Sequence, residues 1–234
     1  MYTMSTSKPT YHHGDLRLVL VAAARDLVRE FGPAGVSLRE AARRAGVSAM
    51  APYRHFADKD ALLAAVAAGG FEAFASELVA ATALGATALG ATALGATASG
   101  ADARAGLIAQ GVAYVRFAMR EPALFRLMFG PVITEPASLA ALRLAGAPAH
   151  AALDRAVAAV LPNAEPSARA DLTLAAWSIV HGLACLLVDG KLVGPAGTHV
   201  TPAEAQAMAA RIGALLLPGT GAKAEAIDAP RHRS

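Results

Sequence analysis

Apolar residues recur along most of this chain at helical spacing, with no sustained alternation of the kind a strand needs. Between Leu16 and Phe31 they fall at Leu16, Val19, Leu20, Ala23, Ala24, Leu27 and Phe31. Steps of three and four place them on one face of a helix. Asp15 is positioned to cap that helix, and Gly32-Pro33 ends it. Ser37-Leu-Arg-Glu40 has the form of a capping box. It opens a short helix with Leu38, Ala41, Ala42 and Ala45 inward. Gly46-Val47 makes a turn, and Ser48 caps a third helix expected to run to about His55. Asp58 caps a fourth, which starts at Lys59 and buries Leu62, Leu63 and Val66. Two short helices across a tight glycine-containing turn make a helix-turn-helix. An αα-hairpin of no special function has the same spacing.

Further on, Asp102 to Met119 carries Leu107, Ile108, Gly111, Val112, Val115, Ala118 and Met119 on one side. Pro122 starts a short helix with Leu124, Phe125, Met128 and Phe129, which Gly130-Pro131 stops. Residues 131–147 have no decisive pattern, and 148–161 reads as a helix. The stretch from Pro166 to about Asp189 is apolar nearly all round, as in a fully buried helix. A monomer of 234 residues can hardly cover such a helix on every side, so a second copy is expected to cover part of it. Thr201-Pro202-Ala-Glu204 is a capping box with proline at the first helical position. It opens a last helix through Met208, Ile212 and Leu215. The expectation is an all-α chain of about nine helices, with an N-terminal helix-turn-helix head and a C-terminal helical bundle.

One stretch breaks the pattern. Thr-Ala-Leu-Gly-Ala repeats from Thr82, Thr87 and Thr92, with a decayed copy at Thr97. A five-residue step winds Leu84, Leu89 and Leu94 round a helix instead of lining one face. Glycine at every fifth position also costs about 1 kcal/mol each relative to alanine. This reads as a linker or a loosely helical insertion over 82–101. Residues 1–13 form a polar arm and 219–234 a tail without apolar periodicity, both expected to be disordered. The head then spans 14–62 and the body 63–218.

Composition narrows the class. The apolar fraction is 55% and the mean hydropathy +0.43, yet aromatics are only 5% and alanine is the commonest residue. Alanine is the best helix former and a weak hydrophobe, so the chain is helical before it is oily. A single cysteine excludes an internal disulfide and a Cys-rich zinc site. Met1 to Asp15 has no apolar run of the secretory kind. Leu78–Ala101 is uncharged but rich in Thr and Gly, and Leu172–Val188 is short and interrupted by His181, so no membrane span is expected. Residues 1–62 hold nine Lys/Arg against six Asp/Glu, an excess as large as the formal charge of +3 of the whole chain. That is a weak electrostatic pointer to nucleic acid.

The run Gly35-Val-Ser37-Leu-Arg39-Glu-Ala-Ala, Ala45-Gly-Val-Ser48, Tyr53-x-His55-Phe56 and Lys59-x-x-Leu-Leu63 resembles the TetR family of transcriptional regulators. His12-His13-Gly-Asp-Leu16-Arg17 is similar to one TetR subgroup. Trp177-x-x-x-His181-Gly182, with Glu121-Pro-Ala-Leu-Phe125 upstream, resembles the subgroup with a Trp-His-Gly C-terminal domain. One departure stands out: Pro52 occupies a position where the family commonly has leucine. The resemblance implies a cytoplasmic, nucleoid-associated homodimer. It implies a palindromic double-stranded DNA operator, released when a small apolar effector binds.

By positional match, the resemblance implies that Tyr53, His55 and Lys59 contact phosphates; His55 and Lys59 carry no packing logic. Ser37, at a helix start, is a further phosphate donor, and Ser48 is a candidate DNA contact. Arg39 is the candidate for a bidentate guanine contact. Ala49, Met50 and Ala51 have little hydrogen-bonding capacity and would read thymine methyls or shape. Phe56 is expected in the core. The bulky groups Tyr114, Phe117, Phe125, Met128, Phe129, Trp177 and His181 are the candidate ligand pocket. Leu172, Ile179, Leu183, Leu186, Met208, Ile212 and Leu215 are the candidate dimer interface.

No metal or cofactor is expected, since adjacent His12 and His13 lack partners and no Walker, GxGxxG or HExxH motif occurs. His181 and Cys185 share a helix face, but no carboxylate or oxyanion signature accompanies them. The alternative readings are a helical enzyme or ligand carrier that keeps a helix-turn-helix for packing, and a membrane-attached protein.

Overall fold

A computed structural model describes residues 13–87, 100–194 and 197–217. The expected arm, the tail and the later copies of the pentapeptide lie outside the described residues. Among the described residues there are eight α-helices and no strand, only one isolated antiparallel bridge between Val193 and His199.

The head holds α1 (His13–Phe31) and α2 (Leu38–Arg44). Leu20, Ala23, Ala24, Leu27 and Val28 of α1 are buried. Phe31 departs from expectation: it is 61% exposed, and Val28 takes the inward position. The Arg44 guanidinium lies 6.0 Å from the Phe31 ring, which gives that exposed face a cationic partner. Gly46 closes α2 with φ at 69°. Its N–H donates to the Arg43 carbonyl and the Val47 N–H to that of Ala42. This is the left-handed cap that a side chain would strain.

The largest correction falls on the segment after this turn. No α-helix forms from Ser48 to His55; there are turns and a 3-10 stretch over Pro52–Arg54. Pro52 has no N–H to donate to the Ser48 carbonyl, which accepts from Ala51 instead at 3.0 Å. His55 and Phe56 both donate to the Pro52 carbonyl. This missing helix brings the count to eight.

The body holds α3 (Lys59–Thr87), α4 (Gly100–Arg120), α5 (Pro122–Phe129), α6 (Pro136–Val160), α7 (Pro166–Val188) and α8 (Pro202–Leu216). Asp58 caps α3 by accepting from the Ala61 N–H at 2.8 Å. Of the patternless 131–147, residues 136–147 form the first half of α6, with Pro148 inside the helix at the loss of one backbone bond. The Thr201–Glu204 box at the start of α8 is fully formed. α3 and α7 are each long and apolar enough to pass as membrane spans. In α3 that character comes from its place between α1, α4, α5 and α6. One core runs from Leu20 and Leu27 in the head through Leu63, Phe71 and Phe74 of α3 to Phe117, Leu124 and Ala149.

α3 continues through the first pentapeptide copy, and the glycine there has a packing reason. A Cβ on Gly85 would lie 2.7 Å from the Ala105 carbonyl oxygen, and one on Gly106 would lie 2.9 Å from that of Thr82. Each glycine lets α3 and α4 approach backbone to backbone. Gly106→Ala is therefore expected to destabilise the chain by about 1–2 kcal/mol in urea unfolding, despite alanine's helix advantage of about 1 kcal/mol. A stabilised variant would show that the helices part at no cost.

Candidate nucleic-acid interface and ligand cavity

The start of α2 is held by Ser37, whose Oγ accepts from the Glu40 N–H at 3.1 Å. Only this half of the expected capping box forms. The Glu40 carboxylate turns to the Arg43 guanidinium, at 2.9 and 2.5 Å, which lowers its pKa and raises that of Arg43. Ser37, Arg39, Ser48, Ala49, Met50 and Tyr53 are exposed; Ala51, His55 and Lys59 are half-buried. Met50 presents 68% of its surface to solvent, so an apolar tip stands at the head of the turn. Phe56 is core, and the Arg17 guanidinium sits 5.3 Å above its ring. Lys59 does have a packing role: its ammonium donates to the Ala34 carbonyl at 3.2 Å. Arg17 and Arg54 are further exposed cations that the motif had not singled out.

The body encloses a cavity of about 630 Å³. α3 supplies Phe71, Phe74 and Leu78; α4 supplies Gln110 and Tyr114; α5 supplies Met128 and Phe129. Of the seven candidate pocket residues, Tyr114, Met128, Phe129 and Trp177 line it. Phe117 and Phe125 lie behind the wall in the core. His181 stands behind Tyr114, whose hydroxyl is 2.8 Å from its Nδ1. Burial lowers the His181 pKa, so the imidazole is neutral, and burial raises that of the Tyr114 hydroxyl. Cys185 Sγ lies 3.5 Å from His181 Nε2, but burial, with Asp189 near, raises the thiol pKa. The thiol stays protonated, the opposite of an activated nucleophile.

Sequence reading missed the wall built by α6. Leu139, Leu142, Arg143, Gly146, His150 and Leu153 face the cavity at helical spacing. A helical run with Arg143 and His150 two turns apart was the available signal, obscured by Pro148 between them. Of the candidate dimer residues, Ile179, Leu186 and Leu215 are exposed, Leu215 at 80%. Leu183 is buried within the chain, and Leu172 and Met208 pack partly against its own clusters. Ile212 and Ile179 line the cavity.

Two family models match this chain: "Bacterial regulatory proteins, tetR family" over residues 20–66, and "Tetracyclin repressor-like, C-terminal domain" over 107–212. The chain belongs to the TetR family of regulators. A protein of unknown function from Rhodococcus sp. RHA1 is similar in structure, with a TM-score of 0.68 and 32% identity over 90% of this chain and 99% of that one. A TetR/AcrR transcriptional regulator from Thermobifida fusca (TM-score 0.58, 20% identity, 88% and 98% covered) shares the fold. So does a tetR-family regulatory protein from Rhodococcus RHA1 (0.54, 21%, 86% and 94%). No curated protein matches the chain.

In this TetR-family chain, two polar contacts tie the cavity walls to the head. Glu121 occupies the N-cap of α5 but makes no cap bond with its side chain. Its carboxylate accepts from Arg29 at 2.9 and 2.5 Å and from Arg25 at 3.3 Å, both on α1. Asp60, in the first turn of α3, accepts from the N–H groups of Thr134 and Glu135 at the start of α6. Thus α5 and α6, both cavity walls, begin at contacts with the head.

The hydrogen bond from Arg29 holds the Glu121 pKa below its ordinary 4.5. The unfolded chain therefore takes up this proton first as pH falls. The cluster's stabilisation is complete above the ordinary value and is lost as pH falls through the lower folded value. Glu121→Gln is expected to be less stable than wild type near neutral pH, with the gap narrowing as pH falls below the ordinary 4.5. Denaturant melts across that range check it; a gap independent of pH would mean that the carboxylate's charge contributes nothing.

Proposed function

We propose that this TetR-type regulator is a repressor that binds a palindromic operator as a homodimer and is released by a small-molecule effector. The observation that carries the reading is one chain joining an exposed helix-turn-helix surface to a largely apolar cavity through shared helices. Residues 14–62 are the head and 63–218 the effector and dimer domain, with the Trp-His-Gly subgroup as the proposed relative of the latter. As a soluble cytoplasmic protein it needs no membrane; α3 owes its oiliness to burial.

Arg39 is the base reader. Ser37, Ser48, Tyr53, His55 and Lys59 hold phosphates, and Ala49, Met50 and Ala51 meet thymine methyls or groove shape. Without an α-helix at 48–55, the segment enters the groove as a turn. Two heads would sit on half-sites about 34–36 Å apart. Effector binding moves the heads through α3 and through the contacts of α5 and α6. It acts only as far as the effector prefers one state. The partner copy would cover the open face of α7. There Leu174, Trp177, Ile179 and Leu186 are between 39% and 59% exposed, and a Cβ on Gly182 would meet nothing. Leu215 of α8 extends this interface.

Two experiments test the reading. In operator titrations, Arg39→Ala should lose about 1–3 kcal/mol of discrimination at one base pair. Tyr53→Phe should bind every sequence about tenfold more weakly through one lost charge-assisted bond. Affinity should fall steeply with salt, by about 0.9 log units per log unit of salt for each phosphate held. Wild-type affinity for both variants defeats the site assignment, and absence of any preferred sequence defeats the function. Separately, Leu186→Glu should turn a dimer into a monomer in sedimentation, because it buries an unpaired charge. A variant that stays dimeric places the interface elsewhere.

A further inference from the structure

We propose that the cavity takes an apolar carboxylic acid, with its body against the aromatic floor and its carboxylate on Arg143 at the rim. This deepens the effector reading and rests on it. The floor is carbon: Phe71 and Phe129 meet edge-on at 5.2 Å, and Phe74 and Tyr114 at 4.8 Å. Two polar groups of the floor, Gln110 Nε2 and the Tyr114 hydroxyl, already have partners behind the wall. Thr82 donates its hydroxyl to the Leu78 carbonyl at 2.8 Å. Its oxygen must then accept from Gln110 Nε2, at 3.1 Å. Tyr114 is engaged with neutral His181. A polar ligand body would lose its water without full return, whereas an apolar body gains from burial.

The rim differs. Arg143 is exposed, lines the cavity and has no acidic partner among the described residues. His150 lies two helical turns further along the same wall, 3.7 Å from Asp154, with its ring 6.2 Å from that of Trp177. Gly146 and Ala147 between the two keep that wall thin. No Asp or Glu is among the residues lining the cavity. One permanent positive charge at the mouth of a carbon-lined space, with no carboxylate among its lining residues, selects an amphipathic anion over a cation. Arginine's planar fork matches a carboxylate in two parallel bonds. The volume suits a drug-sized body and exceeds the need of a short acid.

The full-length protein carries its own probe, because Trp177 is its single tryptophan and stands at the rim. Dodecanoate and dodecanol, which share one chain and differ in charge, are titrated against its fluorescence and by calorimetry. Dodecanoate should bind about tenfold more tightly than dodecanol, as expected for a charge-assisted pair. Arg143→Gln should weaken dodecanoate about tenfold more than dodecanol and so remove that difference, and Arg143→Lys should restore part of it. Arg143 is exposed, so the variants are expected to fold, and circular dichroism checks this. Equal binding of acid and alcohol, a preference that survives Arg143→Gln, or no binding of either overturns the proposal. Operator binding by the same ligand-free samples is measured in parallel. Its absence would sink the regulator reading while leaving the acid-binding result to stand or fall alone.

Discussion

The head and the floor of the cavity are both arranged around α3, a 29-residue helix that belongs to both halves of the chain. Its first turns bury Leu62, Leu63 and Val66 against the head, and its later turns bury Phe71, Phe74 and Leu78 in the body. Large apolar side chains each contribute about 1.5–3 kcal/mol when fully buried. A break in α3 would therefore expose two sets of them at once. The head and the cavity cannot fold around different frames, because they share one. The same constraint narrows the polar side of α3 to an exposed strip at Glu72 and Ser76, with neighbours on its other sides.

Apolar packing of this kind is non-directional, and the polar contacts supply direction. Glu121 receives both arginines of α1, and Asp60 receives the first amides around α6. Each carboxylate joins the head to the first residues of a cavity wall. A ligand that shifts α5 or α6 by a fraction of an ångström works against charge-assisted bonds with narrow geometry as well as against soft carbon contacts. Packed elements respond to such a shift by moving as units. The cavity and the DNA-facing turn are thereby mechanically close although far apart in sequence.

The helix-turn-helix marks the limit of pattern reading. The spacing of Ser48, Ala51 and His55 is helical, and only the chemistry of Pro52 argues otherwise. One absent N–H, at the fifth position of a run only eight residues long, leaves too few i to i−4 bonds to complete an α-helix. The pentapeptide taught the reverse lesson. Its glycine looked like a cost, and at Gly85 it is what allows α3 to lie against α4.

Helix class, the caps at Ser37, Asp58 and Thr201, the inward faces of α1 and α2, and the family of the head were all legible in the sequence. These depend on neighbours within about one or two turns, where hydrogen bonding and side-chain direction are local. The cavity was legible only in part. Aromatic residues announced a site, but burial decided that Phe117 and Phe125 would fill the core while Phe129 and Trp177 met open space. The role of Arg143 and the link from Glu121 to Arg25 and Arg29 join segments more than 60 residues apart or depend on which helix stands opposite. No periodicity encodes that, because side-chain partnership across helices follows from how the helices pack.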